Sequence, residues 1–343
     1  MEMTRFDRIA KESRETSKGP FVDVPIVGLE HIEPYDMLLK KWDLNVETTF
    51  TKTFKKGQIL FGRRRTYQHK ACVATCDGMC SGDITVIEPI EGAIYPDLLP
   101  FIIQSDGFFE HAIKGSNGAL SPRVKWEHMA NFEISLPSLE KQKVLADKLW
   151  AAYEVKQSYL KMIEATQEMV KSQFIEMFKG DYQMEKWEDC LTITNGKKYD
   201  GDYQESGSFP ICGSGGIMGY GERKFCDKDT IILGRKGNIN SPIYMENDYW
   251  IVDTAFSLAV NRQKLLPKYF YFWCKRFDFT KYNKQGVLPS LTKNDLQKIE
   301  MPMPPMELQT SFVVMLEQAD KSEFELRKSI KAIDAVIKSL INS

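Results

Sequence analysis

The chain has 343 residues, 43% of them hydrophobic and 27% charged, with a formal net charge of −1. That length exceeds one average core and suits two domains of about 100 to 200 residues each. The near-neutral total excludes a uniformly basic coat while leaving basic patches on one face open, and with no run of about 18 uncharged apolar residues and no secretory-type leader in MEMTRFDRIAKES, no membrane partner and a cytoplasmic location are expected.

In chain order, the first informative stretch is GQILFGRRRTYQHKAC, Gly57 to Cys72, where a strand-like apolar run ends in three arginines. Arg63, Arg64, Arg65, Tyr67, Gln68 and Lys70 would leave that strand together, and guanidinium, amide and ring groups of this kind suit phosphates and base edges. Cys72, Cys76 and Cys80 follow at intervals of four with no second ligand pair, so they read as buried or half-buried thiols and no metal site is assigned. An odd total of seven cysteines does not form a disulfide framework. A second polar loop offers Lys114, Ser116, Asn117, Arg123 and Lys125. At LPSLEKQ, Leu136 to Gln142, a long helical pattern begins, with Leu145, Leu149, Ala152, Tyr159, Ile163, Thr166, Val170 and Phe174 spaced by threes, fours and sevens.

The second half opens with TNGKKYDG, which supplies Lys197, Lys198 and Tyr199, with Tyr203 and Tyr220 nearby. FPICGSGGIMGYGE is dense in glycine and predicts tight turns or close backbone approach. DTIILGRKGNINSPIY, Asp229 to Tyr244, again runs a strand into a basic turn and offers Arg235, Lys236 and Asn238. Around QGVLPSLTK, Lys284, Gln285, Ser290 and Lys293 add polar contacts before MPPMELQ, Met303 to Gln309, opens a second helical seam. Its apolar positions are Phe312, Leu316, Ala319, Leu326, Ile330, Ile333, Ile337 and Ile341.

The halves are repeats: Pro137, Glu140 and Gln142 meet Pro304, Glu307 and Gln309 at a constant offset of 167 (304 − 137). The predicted organisation is an α+β domain over 1–136, a long helix over 137–180, a second α+β domain over 181–303 and a second long helix over 304–343. Two exposed seams bury each other best as an antiparallel coiled coil with pseudo-twofold symmetry, placing the domains at opposite ends of a rod of about 45 Å. The alternative is that each helix packs only on its own domain.

Reactive apparatus is missing from the pattern. The chain has no G-x-x-x-x-G-K-[ST] loop, H-E-x-x-H pair, G-x-S-x-G elbow, G-x-G-x-x-G turn or Asn/Asp-Pro-Pro-aromatic tetrapeptide. His31, His69, His111 and His128 are scattered, so no residue is assigned as catalytic.

YQHKACVATCDGMCSGDITVIEP, NGALSPRVKWEHMANFEISLPSLEKQKVLADKL, FPICGSGGIMGYGE, TIILGRKGNIN and WIVDTAFSL resemble the specificity subunit of type I restriction-modification enzymes, over nearly the whole chain and twice over. The resemblance implies two target recognition domains, each reading one half of a split double-stranded DNA sequence, and no catalysis by the chain itself. It implies docking of two adenine methyltransferase subunits on the helices and of motor-nuclease subunits outside, with S-adenosylmethionine, ATP and Mg held by those partners. The coiled coil would then be carried by Leu145, Leu149, Ile163, Val170, Phe312, Leu316, Ile330 and Ile337. Readers about 45 Å apart stand roughly 13 base pairs apart, and a helical turn added or removed around Glu164 is expected to change the unread spacer. Because the domains differ in residue content, a non-palindromic target is expected. The competing expectation is a coiled-coil scaffold whose ends do not read DNA.

Overall fold

The computed structural model describes residues 2–18, 22–118, 120–283 and 289–341. It divides into two units, 1–160 with 327–343, and 161–326.

The first unit begins with strands β1 (Glu2–Arg5), β2 (Ala10–Ser13), β3 (Ile26–Val27), β4 (Lys52–Phe54), β5 (Ile59–Gly62), β6 (Ala71–Val73), β7 (Gly78–Cys80) and β8 (Ile84–Pro89). Helices α1 (Leu99–Ile103), α2 (Asp106–Lys114) and α3 (Trp126–Met129) follow, then β9 (Glu133–Leu136) and the long α4 (Leu139–Met177). An antiparallel sheet in the order β2-β8-β5-β6 abuts a smaller sheet, β3-β7-β4, in which β3 is parallel to β7. The β5 sequence ILFG is apolar at every side chain because both of its faces are covered. Phe6, Phe61, Phe101, Phe108 and Phe109 fill the core, onto which Ala146, Leu149 and Tyr153 of α4 pack.

The second unit contains β10 (Met184–Lys186), α5 (Trp187–Cys190), β11 (Leu191–Asn195), β12 (Phe209–Gly213), β13 (Gly216–Gly221), β14 (Thr230–Gly234), β15 (Ile243–Met245), β16 (Trp250–Ile251) and β17 (Ala255–Val260). It closes with α6 (Pro267–Arg276), α7 (Lys293–Gln297), β18 (Glu300–Pro302) and α8 (Met306–Ile341). Its sheet β11-β17-β14-β15 has the strand order of the first unit's larger sheet, repeat for repeat. The small sheet differs. Here β12 is central, parallel to β16 and antiparallel to β13, whereas β7 is central in the first unit. The glycine-dense segment is thus the β12–β13 hairpin, with Gly216, at φ +104, opening β13 directly after the turn.

The helical seams form as spaced. Leu149, Ile163, Val170, Phe174, Phe312 and Ala319 are buried, and Leu145, Leu316, Ile330 and Ile337 are half-buried. Within the second unit α4 and α8 run antiparallel: Gln167 donates to Glu323 at 3.0 Å, while Phe174 meets Phe312 with ring centroids 5.1 Å apart. Within the first, Lys156 pairs with Asp334 at 2.7 Å and Ile337, Leu340 and Ile341 lie against the phenylalanine core. Each helix covers its partner as well as a domain core, so the alternative in which each packs only on its own domain does not hold.

A buried glutamine fixes each helix start. Gln142 accepts from Tyr95 N–H and donates to the Pro137 carbonyl, both at 2.9 Å. Gln309 accepts from Leu266 N–H and donates to the Lys264 and Pro304 carbonyls, all at 2.9 Å. The primary amide, with one carbonyl and two N–H donors, can satisfy a donor and two acceptors at once beside a proline that supplies no N–H. Cys72 and Cys80 are core thiols, Cys80 pushed by burial up to about 12, and Cys76 is half-buried.

Candidate nucleic-acid interface

In the first unit the chain leaves β5 into the arginine run, and backbone bonds pin that run on two sides. Arg63 N–H donates to the Asp83 carbonyl at 2.9 Å, just ahead of β8, and the Arg63 carbonyl accepts from Val124 N–H at 2.9 Å. Arg65 N–H donates to Pro122 at 2.8 Å, and Asn117 and Arg123 exchange both backbone bonds at 3.0 and 2.9 Å. The strand end, the turn before β8 and the loop before α3 form one bracket. Arg65 and His69 both sit at φ 53, bounding a single helical turn over Thr66–Gln68. Two L-residues held left-handed cost about 1–2 kcal/mol each, and the surrounding bonds sustain them.

The second unit builds the same bracket. Arg235 N–H donates to the Thr254 carbonyl at 2.8 Å ahead of β17, the Arg235 carbonyl accepts from Leu291 N–H at 2.9 Å, and Gly237 N–H donates to Pro289 at 3.0 Å. Lys236 bridges Ser290 as Arg64 bridges Arg123. Asn283 Oδ1 accepts from Ser290 N–H at 2.9 Å and steadies the loop before α7. The two loops identified separately in the sequence are thus brought together in both units.

The side chains divide into those at hand and those already engaged. Arg65, Tyr67, Asn117, Arg123, Lys125, Lys198, Lys236 and Asn238 are exposed, and Arg63, Arg64, Gln68, Arg235, Ser290 and Lys293 are half-buried. Arg63 Nε is buried without a hydrogen-bond partner. Arg64 and Arg123 share the Asp83 carboxylate. Burial alone would raise that carboxyl, but the bonds and charges of the two arginines outweigh it and hold it below its ordinary value.

Other expected contacts are already engaged within the protein, Lys197 from an exposed position. Tyr199 is a correction: its ring is buried against Trp250 and its hydroxyl accepts from Glu222 N–H at 3.2 Å, because the apolar face finds more cover inside than out. Lys197 lays its ammonium over the Phe225 and Trp250 rings at 4.0 and 4.8 Å. Lys70 donates to the Leu29 carbonyl at 2.6 Å, and the Ser116 hydroxyl to Ala112 at 3.0 Å. Lys284 and Gln285 lie outside the described residues. Sequence reasoning missed Asp83 and Thr254; the carboxylate directly ahead of the ITVIEP strand was the available signal. Among the described residues no cluster of three or more His, Cys, Asp or Glu is arranged to hold a metal, and no helix is long and apolar enough to cross a membrane.

A family model described as the type I restriction modification DNA specificity domain matches residues 9–164 and again residues 179–334. The specificity subunit of the type I restriction enzyme EcoDI from Escherichia coli is 25% identical over 142 residues, which is 40% of this chain and only 31% of that relative's length. Among solved structures, the S subunit of a type I restriction-modification system from M. genitalium superposes with a TM-score of 0.67 at 13% identity, covering 99% of this chain and 94% of the other. A second, from work on complex assembly and conformational transition of the type I R-M system, gives 0.60 at 16% identity over 99% and 96%. At such identities these two speak for the fold.

Proposed function

The chain belongs to the family of type I restriction-modification DNA specificity domains and carries that domain twice, and from this premise we propose that it reads a split, non-palindromic DNA target, one block per domain. The observation that carries the reading is the repeated bracket, in which a basic run at a strand end is locked to the polar loop before a short helix. Rigid backbone with projecting arginine and lysine is what bidentate guanine contacts and phosphate contacts both need. Arg63, Arg64, Arg65, Tyr67, Asn117, Arg123 and Lys125 would serve the first block. Lys198, Arg235, Lys236, Asn238, Ser290 and Lys293 would serve the second.

In this reading the chain is non-catalytic and acts in the cytoplasm. Two adenine methyltransferase subunits dock on its helices and motor-nuclease subunits join them, the partners holding S-adenosylmethionine, ATP and Mg. Exposed apolar residues on α4 within the second unit, Met162 and Met169, stand seven apart and offer a face for such docking.

The deciding experiment co-expresses the chain with its methyltransferase subunit and maps modified adenines across the host genome by long-read sequencing. A split motif that disappears when this chain is omitted supports the reading. An assembled complex that modifies no motif overturns it in favour of the scaffold.

A further inference from the structure

Asp83 touches every part of the first bracket. Its carbonyl takes the Arg63 N–H at 2.9 Å. Its carboxylate takes two N–H groups of Arg123, at 2.7 and 3.3 Å, and one of Arg64 at 3.3 Å. Arg64 is held from its other side by the Ser121 hydroxyl at 3.1 Å. The carboxylate is 20% exposed, while the Arg64 and Arg123 side chains remain 38% and 46% exposed, so both arginines stay partly open to solvent. With its acidity strengthened by the two arginines, Asp83 is ionised at neutral pH.

The second bracket lacks this feature. Thr254 stands where Asp83 does, its carbonyl taking the Arg235 and Lys236 N–H groups at 2.8 and 3.1 Å, but its hydroxyl accepts from Ser214 N–H at 3.3 Å and bears no charge. Among the described residues neither Arg235 nor Lys236 has a carboxylate partner.

We propose that Asp83 is the positioning residue of the first recognition domain, fixing Arg64 and Arg123 before DNA arrives, whereas the second domain reads its block with side chains that order on binding. The inference rests on the DNA-reading function proposed above. A guanidinium already oriented loses little freedom when it meets a base edge, and a wrong base then faces a donor fork that cannot adapt. The same carboxylate offsets charge in the cluster, which lowers attraction to phosphates of unrelated sequence.

The test uses the complex of this chain with its methyltransferase subunit, as wild type and with Asp83→Ala, Asp83→Asn and Asp83→Glu. Binding is measured across a salt series to duplexes carrying the mapped target, the target altered in one block or the other, and no target. For Asp83→Ala and Asp83→Asn, affinity for non-target DNA is expected to rise with a salt slope steeper by up to about two. Discrimination against first-block changes should fall about tenfold while second-block discrimination stays as in wild type. Asp83→Glu should restore part of the loss. Unchanged first-block discrimination in Asp83→Ala and Asp83→Asn overturns the proposal. So does a parallel fall in target and non-target affinity with a lowered melting temperature, which marks a merely structural residue. A wild-type complex with no preference for either block overturns the DNA-reading function itself, and this inference with it.

Discussion

The Val124 N–H donates to the Arg63 carbonyl at 2.9 Å, and through that bond the arginine run after β5 and the loop before α3 become one surface. Leu291 and Arg235 make the same bond at the same length in the second unit. A strand end held from both sides presents its side chains from a fixed backbone, so the freedom left at this surface lies in the side chains alone.

Removing the arginine run should therefore silence one block and spare the other. For Arg63→Ala with Arg65→Ala, modification at the wild-type motif should fall because first-block recognition weakens by about 1–3 kcal/mol per base-contacting arginine. Arg235→Ala with Lys236→Ala should do the same to the second block. Binding of each variant to duplexes altered in one block at a time checks the assignment, and a loss spread equally over both blocks would refute one-block-per-domain reading.

The second bracket also has a steric requirement. A Cβ on Gly234 would lie 1.9 Å from the Asn238 carbonyl oxygen, a backbone atom that cannot step aside. Gly237, at φ +77, has open space around the same position. Gly234→Ala should distort the basic turn at a cost above about 1–3 kcal/mol and abolish modification, whereas Gly237→Ala should cost about 1 kcal/mol and leave the motif intact. Motif maps of the two variants decide it.

How much of this was legible beforehand depends on how local the signal is. The seams of α4 and α8 were readable because an amphipathic helix writes its burial into spacing, and Leu149, Val170 and Phe312 are buried as that spacing requires. The junctions were readable because Gln142 and Gln309 sit at the same offset and do the same work. Tyr199 was misplaced because a tyrosine between Lys198 and Asp200 looks solvent-facing until Trp250, distant in sequence, supplies its cover. Asp83 was missed for the same reason, since its partners Arg64 and Arg123 come from two separate loops.

The glutamine latch predicts a large effect from a small change. Gln309→Leu keeps the volume but leaves Leu266 N–H and the Lys264 and Pro304 carbonyls without their partner. Each buried orphan costs about 1–3 kcal/mol, so a loss of about 3 kcal/mol and a melting temperature lower by about 5–10 °C are expected. Ser311→Ala, an exposed substitution on the same helix, serves as the control and should leave melting unchanged.

Acid sensitivity should trace partly to the contact between α4 and the first domain. Tyr153 donates its hydroxyl to Asp36 at 2.7 Å, joined by Lys40 at 2.6 Å and Leu38 N–H at 3.3 Å. Burial alone would raise the Asp36 carboxyl; the Lys40 and Tyr153 bonds, with Leu38, outweigh it and bring the folded value below the ordinary 3.8. A folded value below the unfolded one means the stabilisation is complete above 3.8 and is lost as pH falls through the folded value. Tyr153→Phe removes one of the bonds that lower it, so it should cost about 1.5–3 kcal/mol at pH 7 and flatten the fall in stability as pH drops below 3.8. Denaturant unfolding of wild type and Tyr153→Phe across that range measures both effects, and parallel curves would show that Tyr153 does not tune Asp36.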